Sequence, residues 1–350
     1  GKSTLFNALT SIAAEASNYP FCTIDPNVGV VDVIDPRLQV LSELSKSKKL
    51  IYASMQFVDI AGLVAGAHKG EGLGNKFLAN IRETDAIVQV IRCFDCDDIV
   101  HVSGSVDPIR DIEVINLELV LADLQTCENV LAKLEKQSKG NKEMLPEIEA
   151  LKKVRDHLNE DQLVRTLELT DEEREHVRKY QFLTAKKSLY IANVSEDDLP
   201  EMDNKYVQQV KDYAEREGSI VISVCAKVEE EIAQLPPEER SEFLESLGLQ
   251  QSGLERLIQA SFEMLGLITY LTTGELETRA WTIKNGTPAA EAAGKIHTDI
   301  QKGFIRAEVV AYDDMVEFRG RVGARDAGKA RSEGKEYVVK DGDVILFLHN

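Results

Sequence analysis

The chain has 350 residues, with 41 Lys plus Arg against 60 Asp plus Glu and a formal net charge of −19. That length accommodates two or three domains, and 43% hydrophobic with 29% charged residues is a globular composition. No apolar run reaches the roughly 18 residues that a membrane span needs, and the acidity argues against nucleic-acid binding through a whole-surface field. The charge is uneven, however: residues 268–350 hold 12 basic and 13 acidic side chains, so nearly all of the excess acid lies earlier. Five scattered cysteines fit a reduced, cytoplasmic protein. The lone pair Cys93 and Cys96 lacks the second C-x-x-C of a zinc ribbon.

The first element is a helix. Gly1-Lys2-Ser3-Thr4 is the last third of G-x-x-x-x-G-K-[ST], and Leu5-Phe6-Asn7-Ala8-Leu9 continues it as an amphipathic helix whose N-terminal amides suit phosphate. Lys2 would reach the β- and γ-phosphates, Ser3 would ligate Mg²⁺, and Thr4 would support the α-phosphate. The strand and first glycine of that motif are expected to precede Gly1. Thr23, in a Pro-interrupted polar stretch, stands where a switch-loop Mg²⁺ ligand would sit. The strand through Met55–Asp59 ends in D-x-x-G, so Asp59 would hold a Mg²⁺-bound water and Gly62 would offer an N–H to the γ-phosphate. Residues 66–74 carry four glycines, the backbone freedom that a second switch requires.

After the Val88–Cys93 strand, a polar segment carries His101. Its imidazole, titrating near pH 6.5, could position water or accept a proton; the alternatives are a solvated loop histidine or His68 in the glycine-rich stretch. Such a group is needed because Leu63, just past the D-x-x-G, cannot hydrogen-bond water. From about Asp111 the period is helical: Leu117, Leu121, Leu124, Leu131 and Leu134, then Leu145, Ile148, Leu151, Val154 and Leu158 after Gly140, predict an antiparallel hairpin. Its tip, residues 133–142, carries Lys133, Lys136, Lys139 and Lys142.

The strand through Ser188–Ala192 ends at Asn193-Val194-Ser195-Glu196, where a GTPase has N-K-x-D. The added methylene of Glu196 and the loss of the Lys at Val194 predict weaker guanine reading, by about 1–3 kcal/mol or roughly 10- to 100-fold. Adenine would be read by the Asn193 side chain and a backbone carbonyl near Val194. The last domain begins near Leu267, with strands through Thr278–Ile283 and Ala307–Tyr312, a short helix at 289–297, and a hairpin over 338–347 on Asp341-Gly342. Between residues 319 and 335, six basic side chains against two acidic make a local RNA-contact candidate.

Asn18 to Asn27, Asp59 to Leu78, Arg82-Glu83-Thr84-Asp85, Asn193 to Glu196 and Gly303 to Glu308 together resemble the YchF, or Obg-like ATPase, branch of the P-loop GTPases. The resemblance spans essentially the whole chain. It implies an α/β P-loop G domain (1–110 and 181–266) interrupted by a helical coiled-coil hairpin (111–180), then a TGS domain of β-grasp, ubiquitin-like fold (267–350). It also implies ATP over GTP, Mg²⁺ with a K⁺ companion, a catalytic role for the histidine at His101, and a ribosomal partner. Phe94 is a candidate for stacking on the base, with ordinary core as its alternative; Cys22 is a candidate redox switch beside Thr23 or a buried thiol. The other reading is a GTP-binding or RNA-binding regulatory switch with negligible turnover.

Overall fold

The computed structural model describes residues 1–16, 28–60, 73–95, 105–140 and 142–350. Its described strands are β1 (Val28–Val33), β2 (Lys49–Ile51), β3 (Ala53–Val58), β4 (Ala86–Arg92), β5 (Lys187–Asn193), β6 (Ile220–Val224), β7 (Leu267–Thr273), β8 (Glu277–Lys284), β9 (Phe304–Ala311), β10 (Arg331–Glu333) and β11 (Asp343–His349). The fold is that of a P-loop GTPase with a further C-terminal domain, and it divides into two compact units: residues 1–11 with 58–257, and 28–57 with 258–350.

In the first unit β4, β5 and β6 form a parallel sheet in that order. β5 is buried almost throughout, as a central parallel strand covered on both faces must be. The helix Lys2–Ala16 turns Leu5, Ala8 and Leu9 inward at helical spacing. A helical hairpin joins β4 to β5. Its first helix, Pro108–Ser138, starts three residues before the predicted boundary, because Asp107 accepts from Arg110 N–H and Pro108 takes the first turn, where its missing N–H costs nothing. The return helix is Leu145–Asn159.

The predicted leucine seam holds only toward the tip. Leu131, Leu134, Ile148, Leu151, Val154 and Leu158 are buried together with Cys127, but Leu117 and Leu145 are 42% and 46% exposed. Near its root the first helix packs on the sheet and on the helix Leu73–Arg82, through Ile112, Leu119 and Ala122. That contact turns a different stripe inward. Asp123 sits there as a carboxylate that is 1% exposed, accepting from Leu183 N–H, Thr184 N–H and Thr184 Oγ1 at 2.7–2.8 Å just before β5.

The second unit is a six-stranded sheet in the order β10-β9-β11-β7-β8-β2. The β7–β8 hairpin, the helix Ala289–Gly294, and β11 parallel to β7 reproduce the β-grasp order. The predicted 338–347 hairpin does not form. Asp341-Gly342 is a turn, with Gly342 at φ +80°, but β11 has β9 on one edge and β7 on the other, so no edge is free for residues 338–340. Val338 makes only an isolated bridge to Pro288.

Residues 36–51 belong to this unit as well. β2 runs parallel to β8, and Leu38 and Leu41 of the helix Pro36–Ser45, both fully buried, share a core with Leu271, Val310 and Val344. Arg37 ties the join by donating to Asp35 and, at 2.9 Å, to Asp341.

Cys93, Cys127 and Cys225 are buried free thiols. Burial pushes the first two up to about 12 and raises the third. With a pKa of about 12, roughly one thiol in ten thousand is ionised at pH 8, and only the thiolate reacts. Iodoacetamide at pH 8 is therefore expected to spare Cys93 and Cys127 until the protein is unfolded. Peptide mass spectrometry reads this directly, and native-state labelling as fast as in guanidinium would contradict it.

Candidate nucleotide site

The carboxyl ends of β4, β5 and β6 lie in register, with Arg92 opposite Asn193 and Asn193 opposite Val224. In a parallel α/β sheet this edge is where ligands bind. Cys93 N–H donates to Asn193 O at 2.8 Å and Val194 N–H to Val224 O at 2.9 Å, so the chain leaves all three strands at one level.

Gly1 and the start of the helix Lys2–Ala16 meet this edge. A Cβ on Gly1 would stand 3.2 Å from Asn193 Nδ2, a close approach that glycine suits. Lys2, Ser3 and Thr4 occupy the first turn, where the helix amides have no intrahelical partner. Lys2 Nζ is hydrogen-bonded and ion-paired to Asp59 Oδ1, so the two residues read separately from the motifs come together. A hydroxyl at Ser3 and a carboxylate at Asp59 are hard oxygen donors of the kind Mg²⁺ takes. Among the described residues no group of three or more His, Cys, Asp or Glu is placed to hold a metal.

Asn193 is buried, and its Oδ1 accepts from Ala226 N–H at 3.0 Å. That bond spends an acceptor on the loop after β6, so Asn193 acts as a strut between the strand ends. Val194 is 2% exposed, and its N–H is taken by Val224 O. Glu196 meets Lys227, with Nζ to Oε2 at 2.8 Å, and the carboxylate raises the Lys227 pKa above its ordinary value.

Phe94 is half-buried, with the Arg92 guanidinium 4.9 Å from its ring centre. It lines a pocket of about 400 Å³ with Asp95, Ser195, Asp198, Asn204 and Tyr206. Asn204 caps the helix Lys205–Glu217 and donates to Cys93 O at 2.8 Å, while Tyr206 Oη donates to Asp95 at 2.8 Å. These wall residues and Lys227 were not singled out from the sequence. Lys227 had a visible signal, its place in Cys225-Ala226-Lys227 just past a buried strand. Thr23, Gly62, Leu63, His68 and His101, with Cys22 and Cys96, lie outside the described residues.

The two surfaces considered for RNA differ. All four tip lysines are exposed. In the 319–335 window, Arg321 and Arg325 both pair with Glu308, Lys329 stands 3.8 Å from Asp314, and Arg331 lies near Glu333 and Asp343. Intramolecular carboxylates thus neutralise much of what the sequence presents as a basic patch.

A family model described as "50S ribosome-binding GTPase" matches residues 1–139. Another, the C-terminal domain of the YchF GTPases, described as "Protein of unknown function (DUF933)", matches residues 267–350. The chain is 54% identical to the ribosome-binding ATPase YchF of Haemophilus influenzae over 351 residues, covering 100% of this chain and 96% of that protein. It is likewise 54% identical to the protein of the same name from Bacillus subtilis over 352 residues, with the same coverage. The solved structure of the Schizosaccharomyces pombe YchF GTPase superposes with a TM-score of 0.91 at 38% identity, covering 99% of this chain and 94% of that one. With the P-loop lysine, the D-x-x-G aspartate and the altered N-K-x-D strand end gathered on one sheet edge, and relatives this similar along its whole length, the chain belongs to the YchF family.

Proposed function

We propose that the chain is a Mg²⁺-dependent nucleoside-triphosphate hydrolase of the cytoplasm that prefers ATP to GTP and uses the nucleotide to switch its hold on the ribosome. The observation that carries this reading is the convergence, at the ends of three parallel strands, of a helix N-terminus bearing Lys2, the Asp59 carboxylate and the pocket beside Phe94 and Ser195. Lys2 and the helix amides take the β- and γ-phosphates, Thr4 supports the α-phosphate side, and the Gly62 N–H meets the γ-phosphate. Ser3, Thr23 and Asp59 would hold Mg²⁺, which neutralises charge on the transferring phosphoryl group when bound.

Phe94 stacks on the adenine, the Val194 backbone carbonyl accepts from its N6, and Asn193 holds the two loops around it. Glu196 weakens guanine binding. Equilibrium binding of ATP and GTP to the full-length protein tests the preference, and tight GTP with weak ATP would overturn it.

Because Leu63 cannot orient water, His101 takes that part. His101→Ala is expected to lower single-turnover hydrolysis about 100-fold or more with nucleotide affinity unchanged. Undiminished turnover would remove His101 from the mechanism. The same Leu63 favours a second reading, a regulatory switch with negligible turnover, and single-turnover rates with and without ribosomes separate the two. For the ribosome, the exposed lysines at the hairpin tip support an RNA contact there ahead of residues 319–335.

A further inference from the structure

Glu196 and Lys227 lie on the two loops that leave β5 and β6, and their side chains meet at 2.8 Å. The backbone beneath them is fixed on both sides. Asn193 Oδ1 holds Ala226 N–H, Val194 N–H holds Val224 O, and Ser195 N–H and Oγ both donate to Asp198 at 3.1 Å, closing the turn that carries Glu196. The pair is therefore a meeting of two anchored loops.

Guanine presents N1–H and N2–H side by side, and a carboxylate reads them by turning one oxygen to each. Lys227 holds one of those oxygens and so turns the carboxylate toward the β6 loop. Adenine presents an acceptor at N1, which an unpaired carboxylate would repel and a neutralised one would not. We infer that Lys227 is a specificity-determining residue: its ion pair with Glu196 withholds the carboxylate from guanine and cancels its charge in front of adenine. Glu196's extra length alone does not set the preference. This inference rests on the nucleotide site proposed above.

Both side chains are substantially exposed, 66% for Lys227 and 44% for Glu196, and exposed pairs are weak. The effect belongs in selectivity rather than stability, at roughly three- to tenfold in the GTP-to-ATP affinity ratio.

The test is equilibrium displacement of a fluorescent nucleotide from the full-length protein by ATP and by GTP, for wild type, Lys227→Met, Lys227→Arg, Glu196→Gln and the Glu196→Gln/Lys227→Met double variant. Lys227→Met is expected to move the ratio toward GTP, Lys227→Arg to keep it, and Glu196→Gln to abolish the effect of the methionine. An unchanged ratio in Lys227→Met overturns the inference, as does an equal shift in the Glu196→Gln background. Wild type that binds neither nucleotide would instead sink the proposed function itself.

Discussion

Lys2→Met is expected to lower ATP hydrolysis by roughly 10²- to 10³-fold, the usual loss when one preorganised charge at a phosphoryl-transfer site is removed. Lys2 stands on the first turn of an exposed helix end and pairs with Asp59, so its ammonium is held at the mouth of the site before any nucleotide arrives. Methionine keeps the length and most of the packing but removes the charge. The fold should be nearly indifferent, because the pair is partly exposed and such pairs contribute little to stability. Lys2→Arg should rescue poorly, since a planar fork does not replace a compact point charge between two phosphates. Phosphate-release rates beside melting curves read both effects. Activity within about threefold of wild type would mean that Lys2 does not face the phosphates.

The largest stability effect is expected at Asp123. Alanine there leaves the Leu183 and Thr184 amides buried without their acceptor, together with the Thr184 hydroxyl. Orphaned buried donors cost about 1–3 kcal/mol each, and removing the buried carboxyl recovers part of its desolvation cost, so a loss of roughly 3–5 kcal/mol follows, or about 6–20 °C in melting temperature. Asparagine keeps the shape and one acceptor and should lose less. A drop below about 1 kcal/mol for alanine would show that water or a shifted backbone replaces the carboxylate.

Asp123 also carries a pH signature. Burial raises its pKa above the ordinary 3.8, against the lowering effect of the bonds from Thr184 and Leu183 and of Arg82. The folded state then binds more protons than the unfolded one above pH 3.8. Its contribution to stability is complete below that pH and is lost as pH rises through the folded value. Asp123→Asn removes this contribution, so the slope of stability against pH should become more positive across that window, which urea titrations at several acid pH values measure.

Much of the proposed nucleotide site was legible because its chemistry is local. Gly1 to Thr4, Asp59 and Asn193 to Glu196 sit at element ends that periodicity alone locates, and one sheet edge follows once the strands are parallel. Phe94 was legible only as a choice, base platform or core. The burial pattern answers part of it, by leaving the ring at a pocket. Asn193 was read as facing the base, and its bond to Ala226 adds a bracing role that no local pattern encodes. Lys227 lies just past a buried strand, a local signal, but its pairing with Glu196 spans 31 residues and no local pattern encodes it.

From the sequence by itself came the P-loop motif, the helical hairpin, the altered base-reading motif and the residues carrying most of the proposed chemistry, while the domain order ending in a β-grasp was what the family resemblance implied. Those features depend on residue type and short-range period, which survive without coordinates. Only the tertiary structure decided which side chains neutralise one another and which strand edges are already taken. It turned Leu117 outward because the helix root packs on the sheet, and it denied residues 338–340 a strand because β11 is paired on both sides. It joined residues 36–51 to the C-terminal sheet through Leu38, Leu41 and β2. Burial and pairing are long-range properties, fixed by what packs against a segment rather than by the segment.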